Sequence, residues 1–279
     1  MKKIGIVVLV CLLLLGCGQN AVPEETTVPA GLVIPVDNEG YYTGFDDLPE
    51  AYTLEQALAD GCHAVVYPQM DTDSRSVEYG QERLWNFLYN CCQGTPGYLR
   101  TVYFLGEEVC YRDLWYTGEA YYYFENELGP KQPEPFTLLR RLTGIDGMPS
   151  RQCSLYVFTN SAALTYEKIM GDLLSSSLPT EPYIPYIWVT SQVQSTNTYT
   201  PEQFAGCATW QEVQAVAEDG EMIVTKEGIV QKFPGQDGTY IQIRYTAPDL
   251  TVESIEVVED SGYDQNRTID WNWNRILPS

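Results

Sequence analysis

Apolar residues follow three different rhythms along this chain. From Ile4 to Leu15 they form a nearly unbroken run behind Lys2 and Lys3. Between Gly18 and about Gly40 they lose any period and are interspersed with Pro23, Pro29, Pro35, Glu24 and Glu25. From Tyr41 onward they recur at the spacings of packed helices and strands, so the folded part begins there.

Within the folded part, Thr53 to Leu58 predicts a short helix with Thr53 as N-cap, and Cys62 to Tyr67 predicts a strand. From Gln81 to Cys92, Leu84, Phe87, Leu88 and Cys91 recur at spacings of three and four, which places them on one face of a helix ended by Gly94, Pro96 and Gly97. Three strand-like runs follow, Leu99 to Leu105, Val109 to Tyr116 and Ala120 to Phe124, separated at Gly106 and Gly118. Such short turns argue for an antiparallel meander. Ser154 to Thr159 adds a strand, and Thr165 to Leu174 reads as a helix with Ile169, Leu173 and Leu174 inward.

Gln, Ser, Thr and Asn displace apolar residues from Val193 to Tyr199, after which the pattern restarts. Tyr52-Thr53-Leu54-Glu55-Gln56 is echoed by Tyr199-Thr200-Pro201-Glu202-Gln203. Ala57-Leu58-Ala59-Asp60-Gly61 is echoed by Ala215-Val216-Ala217-Glu218-Asp219-Gly220, each ahead of a β-rich run. Two readings stay open: two related subregions, or ordinary helix-capping chemistry used twice. The clearest later strand is Tyr240 to Tyr245, where Ile241, Ile243 and Tyr245 alternate with Gln242 and Arg244. Helices among runs of adjacent strands predict an α+β fold of antiparallel sheets with a few packed helices. The expected organisation is residues 1–16 as a leader, 17–40 as a tether, 41–196 as the main α+β region and 197–279 as a smaller β-rich α+β region.

The leading run is too short to span a bilayer, which takes about 20 apolar residues. Its end, Leu14-Leu15-Gly16-Cys17, resembles the lipobox of bacterial lipoproteins. That resemblance implies removal of residues 1–16 and a diacylglycerol on Cys17, which becomes the new N-terminus. Two acyl chains anchor stably where one holds marginally. The expected location is the extracytoplasmic face of the cell membrane, with the proline-rich tether reaching up to roughly 70 Å at about 3.1 Å per residue. A second resemblance rests on Tyr52 to Ala57, Asp60-Gly61, Gly80, Leu84, Phe87 and Leu99 to Val102. Over roughly residues 50–130 these resemble uncharacterised exported lipoproteins of monoderm bacteria, with Cys62 and His63 as a departure after Asp60-Gly61. The resemblance implies no activity.

Charge narrows the partners. The chain carries 16 basic and 38 acidic side chains, a net charge of −22, and losing Lys2 and Lys3 with the leader takes it to −24. Nucleic acid is excluded as a partner, because phosphate binding needs clustered Lys and Arg. An anionic membrane surface likewise repels the body. Of eight cysteines, Cys11 leaves with the leader and Cys17 takes lipid. The remaining six allow 15 disulfide pairings, but a chain this long, with adjacent Cys91 and Cys92, predicts no more than one or two bridges.

Candidate chemistry is sparse. His63 is the single histidine, which excludes multi-histidine metal sites. Its neighbour Cys62 suggests a Cys–His pair, yet successive strand side chains point to opposite faces. Asp71, Asp73 and Glu82 take the first, third and twelfth positions of a calcium loop, but Arg75 and Ser76 occupy its fifth and sixth. Glu259, Asp260 and Asp264 around Gly262 have no ligand spacing. No cofactor or metal is expected. Trp271 and Trp273, interleaved with Asn272 and Asn274, would share one side of an extended segment. They are candidates for stacking on a glycan, against the alternative that they pack a terminal strand. The expected role is a non-catalytic module that binds a protein or glycan. The rival is a carboxylate-based envelope hydrolase, for which 38 acids give no basis for choosing a pair.

Overall fold

Thr53 begins the first helix as its chemistry predicts. Its hydroxyl accepts from the Gln56 backbone N–H at 3.2 Å, and the Gln56 side chain accepts from the Thr53 N–H at 2.9 Å, a reciprocal cap on α1 (Leu54–Ala59). The computed structural model describes residues 32–49, 52–67, 76–146, 151–174, 183–190 and 197–259. All of these fall in one compact unit that begins at Leu32.

After α1 the chain runs through β1 (His63–Tyr67), β2 (Val77–Tyr79), α2 (Gln81–Cys92), β3 (Gly97–Leu105), β4 (Glu108–Tyr116) and β5 (Tyr121–Glu125). These strands form a five-stranded sheet in the order β2-β1-β3-β4-β5. Strands β3, β4 and β5 make the expected antiparallel meander. Strand β1 instead pairs parallel with β3, His63 lying beside Thr101. A parallel pair needs a crossover, and α2 supplies it, so one βαβ unit sits inside a largely antiparallel arrangement.

A second, antiparallel sheet contains β6 (Leu138–Asp146), β7 (Arg151–Thr159) and β8 (Tyr183–Thr190), with α3 (Tyr166–Leu174) between β7 and β8. Of these strands the sequence pattern announces only part of β7. Next come α4 (Pro201–Phe204) and α5 (Trp210–Val216), then a four-stranded antiparallel meander of β9 (Glu221–Thr225), β10 (Gly228–Pro234), β11 (Thr239–Thr246) and β12 (Thr251–Glu259). The architecture is thus a mixed α+β fold with three antiparallel-rich sheets and a few helices. The expected boundary at 196/197 follows residues 191–196, which lie outside the described residues.

Helix α2 organises the core. Leu84, Phe87, Leu88 and Cys91 are buried as the spacing requires, and Trp85 and Cys92 are buried beside them. The buried face is wider than one amphipathic stripe because α2 packs against β3 of the first sheet and against β9 and β10 of the meander. One cluster therefore joins Leu99, Leu114 and Tyr121 with Phe158, Phe204, Trp210, Phe233 and Ile243. Burying one leucine such as Leu88 contributes roughly 1.5–3 kcal/mol. The opposite face of the five-stranded sheet is covered too: Tyr52, Ala57 and Cys62 pack on Val102 and Tyr111, and Tyr42 packs on Trp115 and Phe124.

The sequence echo has a structural counterpart. Thr200 and Gln203 repeat the reciprocal cap at α4. The Tyr52 hydroxyl donates to Asp60 Oδ2 at 2.6 Å, and the Tyr199 hydroxyl donates to Asp219 Oδ1 at 2.7 Å. Each tyrosine clasps the aspartate before a glycine that leads into a strand, β1 or β9.

Candidate functional site

The densest polar cluster lies between the five-stranded sheet and the N-terminal segment over it. Asp113 on β4 faces Arg100 on β3 as a cross-strand pair. Its carboxylate is fully buried, at 0% exposure, and is filled with donors. Oδ1 accepts from Arg100 Nε at 2.8 Å and Tyr98 Oη at 3.1 Å; Oδ2 accepts from Arg100 Nη2 at 2.6 Å and Tyr42 Oη at 2.5 Å. Arg100 Nη2 also donates to the Gly44 carbonyl at 2.6 Å, and Trp115 Nε1 donates to Tyr42 Oη at 3.2 Å. The Gly44 backbone comes so near that a Cβ there would overlap the Tyr42 phenol. The chain thus needs glycine at this point to close over the sheet.

Burial, and after it the negative charge of Asp113, holds the Tyr42 and Tyr98 phenols above their ordinary range. Burial alone would lower the Arg100 guanidinium, but its hydrogen bonds and charge contact with Asp113 outweigh that and raise it. Arg100 also lies 5.5 Å from the Phe45 ring centroid. These are the features of a buried ion pair whose lone pairs and protons are consumed inside the protein. Asp113 has no accessible edge from which to act on a substrate.

A hollow of about 170 Å³ opens beside this cluster, between the N-terminal segment and the turn after β5. Tyr42, Phe45 and Phe124 give it an aromatic wall, with the Tyr42 and Phe124 rings stacked at 3.7 Å between centroids. Asp46, Asn126 and Lys131 give it a polar rim.

The histidine is buried on the other face of the same sheet. His63 Nδ1 lies 3.3 Å from Thr101 Oγ1, and Nε2 lies 3.2 Å from Glu78 Oε2. Burial would raise the Glu78 carboxyl, but hydrogen bonding and charge from His63, together with Gln81, hold it below the usual carboxylate value. Carboxylate, imidazole and hydroxyl are in line, yet Thr101 is itself buried. Cys62 points the opposite way, its sulfur 3.7 Å from the Tyr52 hydroxyl, so the two neighbours form no pair. Burial raises the Cys62 thiol.

The other candidates are dispersed. Glu82 lies in the first turn of α2, 3.8 Å from Arg83, whereas Asp71, Asp73 and Arg75 are outside the described residues. Glu259 ends β12, and Asp260, Asp264, Trp271, Trp273 and Cys17 are likewise outside the described residues. Cys62, Cys91, Cys92, Cys110 and Cys207 carry free thiols. Among the described residues no group of His, Cys, Asp and Glu is arranged to hold a metal, and no helix is long and apolar enough to cross a membrane.

Sequence reasoning passed over Arg100 and Asp113, although a signal existed. A two-residue turn at Gly106-Glu107 fixes a register that sets position 100 opposite position 113. No family model, no curated protein and no solved structure matches this chain.

Proposed function

We propose that this chain is a lipid-anchored extracytoplasmic protein that works as a non-catalytic binding or interaction module. The observation that carries the reading is the internal commitment of its reactive-looking groups. Asp113 receives four hydrogen bonds, His63 is held between Glu78 and Thr101, and Cys62 faces Tyr52. Such groups hold a scaffold together, leaving the surface to meet a partner. Leu14-Leu15-Gly16-Cys17 and the proline-containing stretch after it support anchorage through Cys17 at a distance from the membrane. The paired clasps, Tyr52 with Asp60 and Tyr199 with Asp219, support the body's being built from two related subregions.

Two measurements test this. Cells fed an alkyne-bearing fatty acid should label the wild-type protein and leave Cys17→Ala unlabelled; equal labelling of both removes the anchor. Purified protein incubated with cell-wall glycans should release no reducing ends. Steady release, abolished by neutralising one carboxylate, would establish the hydrolase instead.

A further inference from the structure

The N-terminal strap, residues 32–48, sits on the five-stranded sheet in the way a bound peptide would. It joins none of the three sheets and closes on itself as a hairpin. Val36 bridges Tyr42, Thr43 N–H donates to the Pro35 carbonyl at 3.1 Å, and Asp37 Oδ1 accepts from the Glu39 and Tyr41 N–H groups at 2.9 Å. Among the described residues, one backbone-to-backbone hydrogen bond ties the strap to the rest of the chain, from Tyr42 N–H to the Lys131 carbonyl at 2.9 Å. Val33, near its start, is 79% exposed.

The strap grips the sheet mainly through side chains, and the grip is selective. Arg100, Asp113 and Phe124 oppose one another across β3, β4 and β5, so they share one face of the sheet. The Tyr42 ring stacks on Phe124, with 3.7 Å between centroids and 7° between planes. Its hydroxyl donates to Asp113 Oδ2 at 2.5 Å and accepts from Trp115 Nε1 at 3.2 Å. Two residues on, the Gly44 carbonyl accepts from Arg100 Nη2 at 2.6 Å, and the Phe45 ring lies 5.5 Å from the same guanidinium. A Cβ on Gly44 would overlap the Tyr42 phenol. The slot therefore selects a phenol, then glycine two residues later, then an aromatic ring.

We propose that the strap is an intramolecular pseudo-ligand covering a peptide-binding slot formed by Arg100, Asp113, Trp115 and Phe124. The slot takes a segment of a partner protein that carries tyrosine and, two residues later, glycine followed by an aromatic residue. The proposal rests on the reading of the body as a binding module and names the surface and the class of partner. Exchange replaces like with like: the partner's phenol and carbonyl take the places of those of Tyr42 and Gly44, so the Arg100–Asp113 pair keeps its hydrogen bonds. Because the strap is joined to the body, its effective concentration is on the order of millimolar. A partner therefore binds in proportion to the fraction of molecules whose strap is open.

The test uses the full-length protein and a fluorescent peptide of residues 35–48. Gly44→Ala in the protein displaces the strap and leaves the slot residues in place, so anisotropy should show the peptide binding this variant at least about tenfold tighter than the wild type. Peptides carrying Tyr42→Ala or Gly44→Ala should each bind the variant at least about tenfold more weakly than the unaltered peptide. Equal binding to the two proteins, equal binding of the three peptides, or no binding by a variant that keeps its wild-type circular dichroism overturns the proposal. So does a strap-exchanged dimer seen by sedimentation, which would make a second copy the occupant. If the variant does not fold, hydrogen exchange on the wild type decides: the Tyr42 and Thr43 amides should exchange at least about 100-fold faster than those of β4 beneath them. Equal protection would make the strap part of the core. The covered slot then falls and the module reading stands, whereas release of reducing ends from cell-wall glycans would remove the module reading itself.

Discussion

The amino-terminal and carboxyl-terminal halves enter their sheets alike and then treat buried polarity differently. Both begin with a tyrosine, a reciprocal threonine–glutamine cap and a clasp to the aspartate before a strand. The first half then buries a full ionic pair, Asp113 with Arg100, under the N-terminal segment. The second buries a neutral amide: Gln231 Oε1 accepts from Tyr245 Oη at 2.8 Å, and its Nε2 donates to the Gly220 carbonyl at 3.2 Å. A sheet covered on both faces must satisfy any charge it retains from within. In the four-stranded meander Glu253, Glu256 and Glu259 of β12 stay exposed, while Glu221 of β9 pairs with the buried Arg141 of β6.

The sharpest way to break this contrast is Asp113→Ala, which strands Arg100 and two phenols in the interior. It should cost about 3–5 kcal/mol in urea unfolding, since removing one member of a buried pair leaves the other uncompensated. Gln231→Leu leaves only the neutral Tyr245 hydroxyl and Gly220 carbonyl, and should cost about 1–3 kcal/mol. Equal losses would mean that charge does not distinguish the halves.

The clasps give a smaller and symmetric test. Tyr52→Phe and Tyr199→Phe each remove one hydrogen bond to a carboxylate, and each should cost about 1–2 kcal/mol. A near-zero cost in one would show that the resemblance between the halves is only geometric there.

Acid gives the smallest and most local effect. The carboxyl of Glu78 is held below its usual value of 4.5, so its contribution to stability is present above that value and lost as pH falls through the depressed one. Thermal melting should therefore fall less steeply below about pH 4.5 in Glu78→Gln than in the wild type. Parallel curves would remove the His63–Glu78 contact from the account.

Much of the local structure is legible in the chain. The span of α2, Gln81–Cys92, coincides with its periodic segment, and the β3–β4–β5 meander follows from Gly106 and Gly118. By contrast, β6 escapes pattern reading because Arg140 and Arg141 sit side by side in its middle. Both are buried: Arg140 donates to the carbonyls of Ser161 and Leu164, and Arg141 reaches Glu221 on β9. Two consecutive arginines read as surface until partners distant in sequence are known. Strand β2 escapes for a simpler reason, being three residues long and exposed.

The candidate site divides the same way. Arg100 and Asp113 could be paired from the hairpin register, but nothing local to them says that Tyr42 and Gly44 close over them. His63 could be expected as either a surface or a satisfied core residue, and the parallel pairing with β3 puts it beside Thr101.

By itself, then, the sequence determined the capped helices, the periodic strands, the short turns and the excess of acid, because each depends on neighbours within a few residues. Tertiary structure decided which polar side chains went inside and which apolar ones stayed exposed. Burial of Asp113, engagement of His63 and exposure of Val257 all depend on contacts across sheets, where the free energy of a charge or an apolar side chain is set by what covers it.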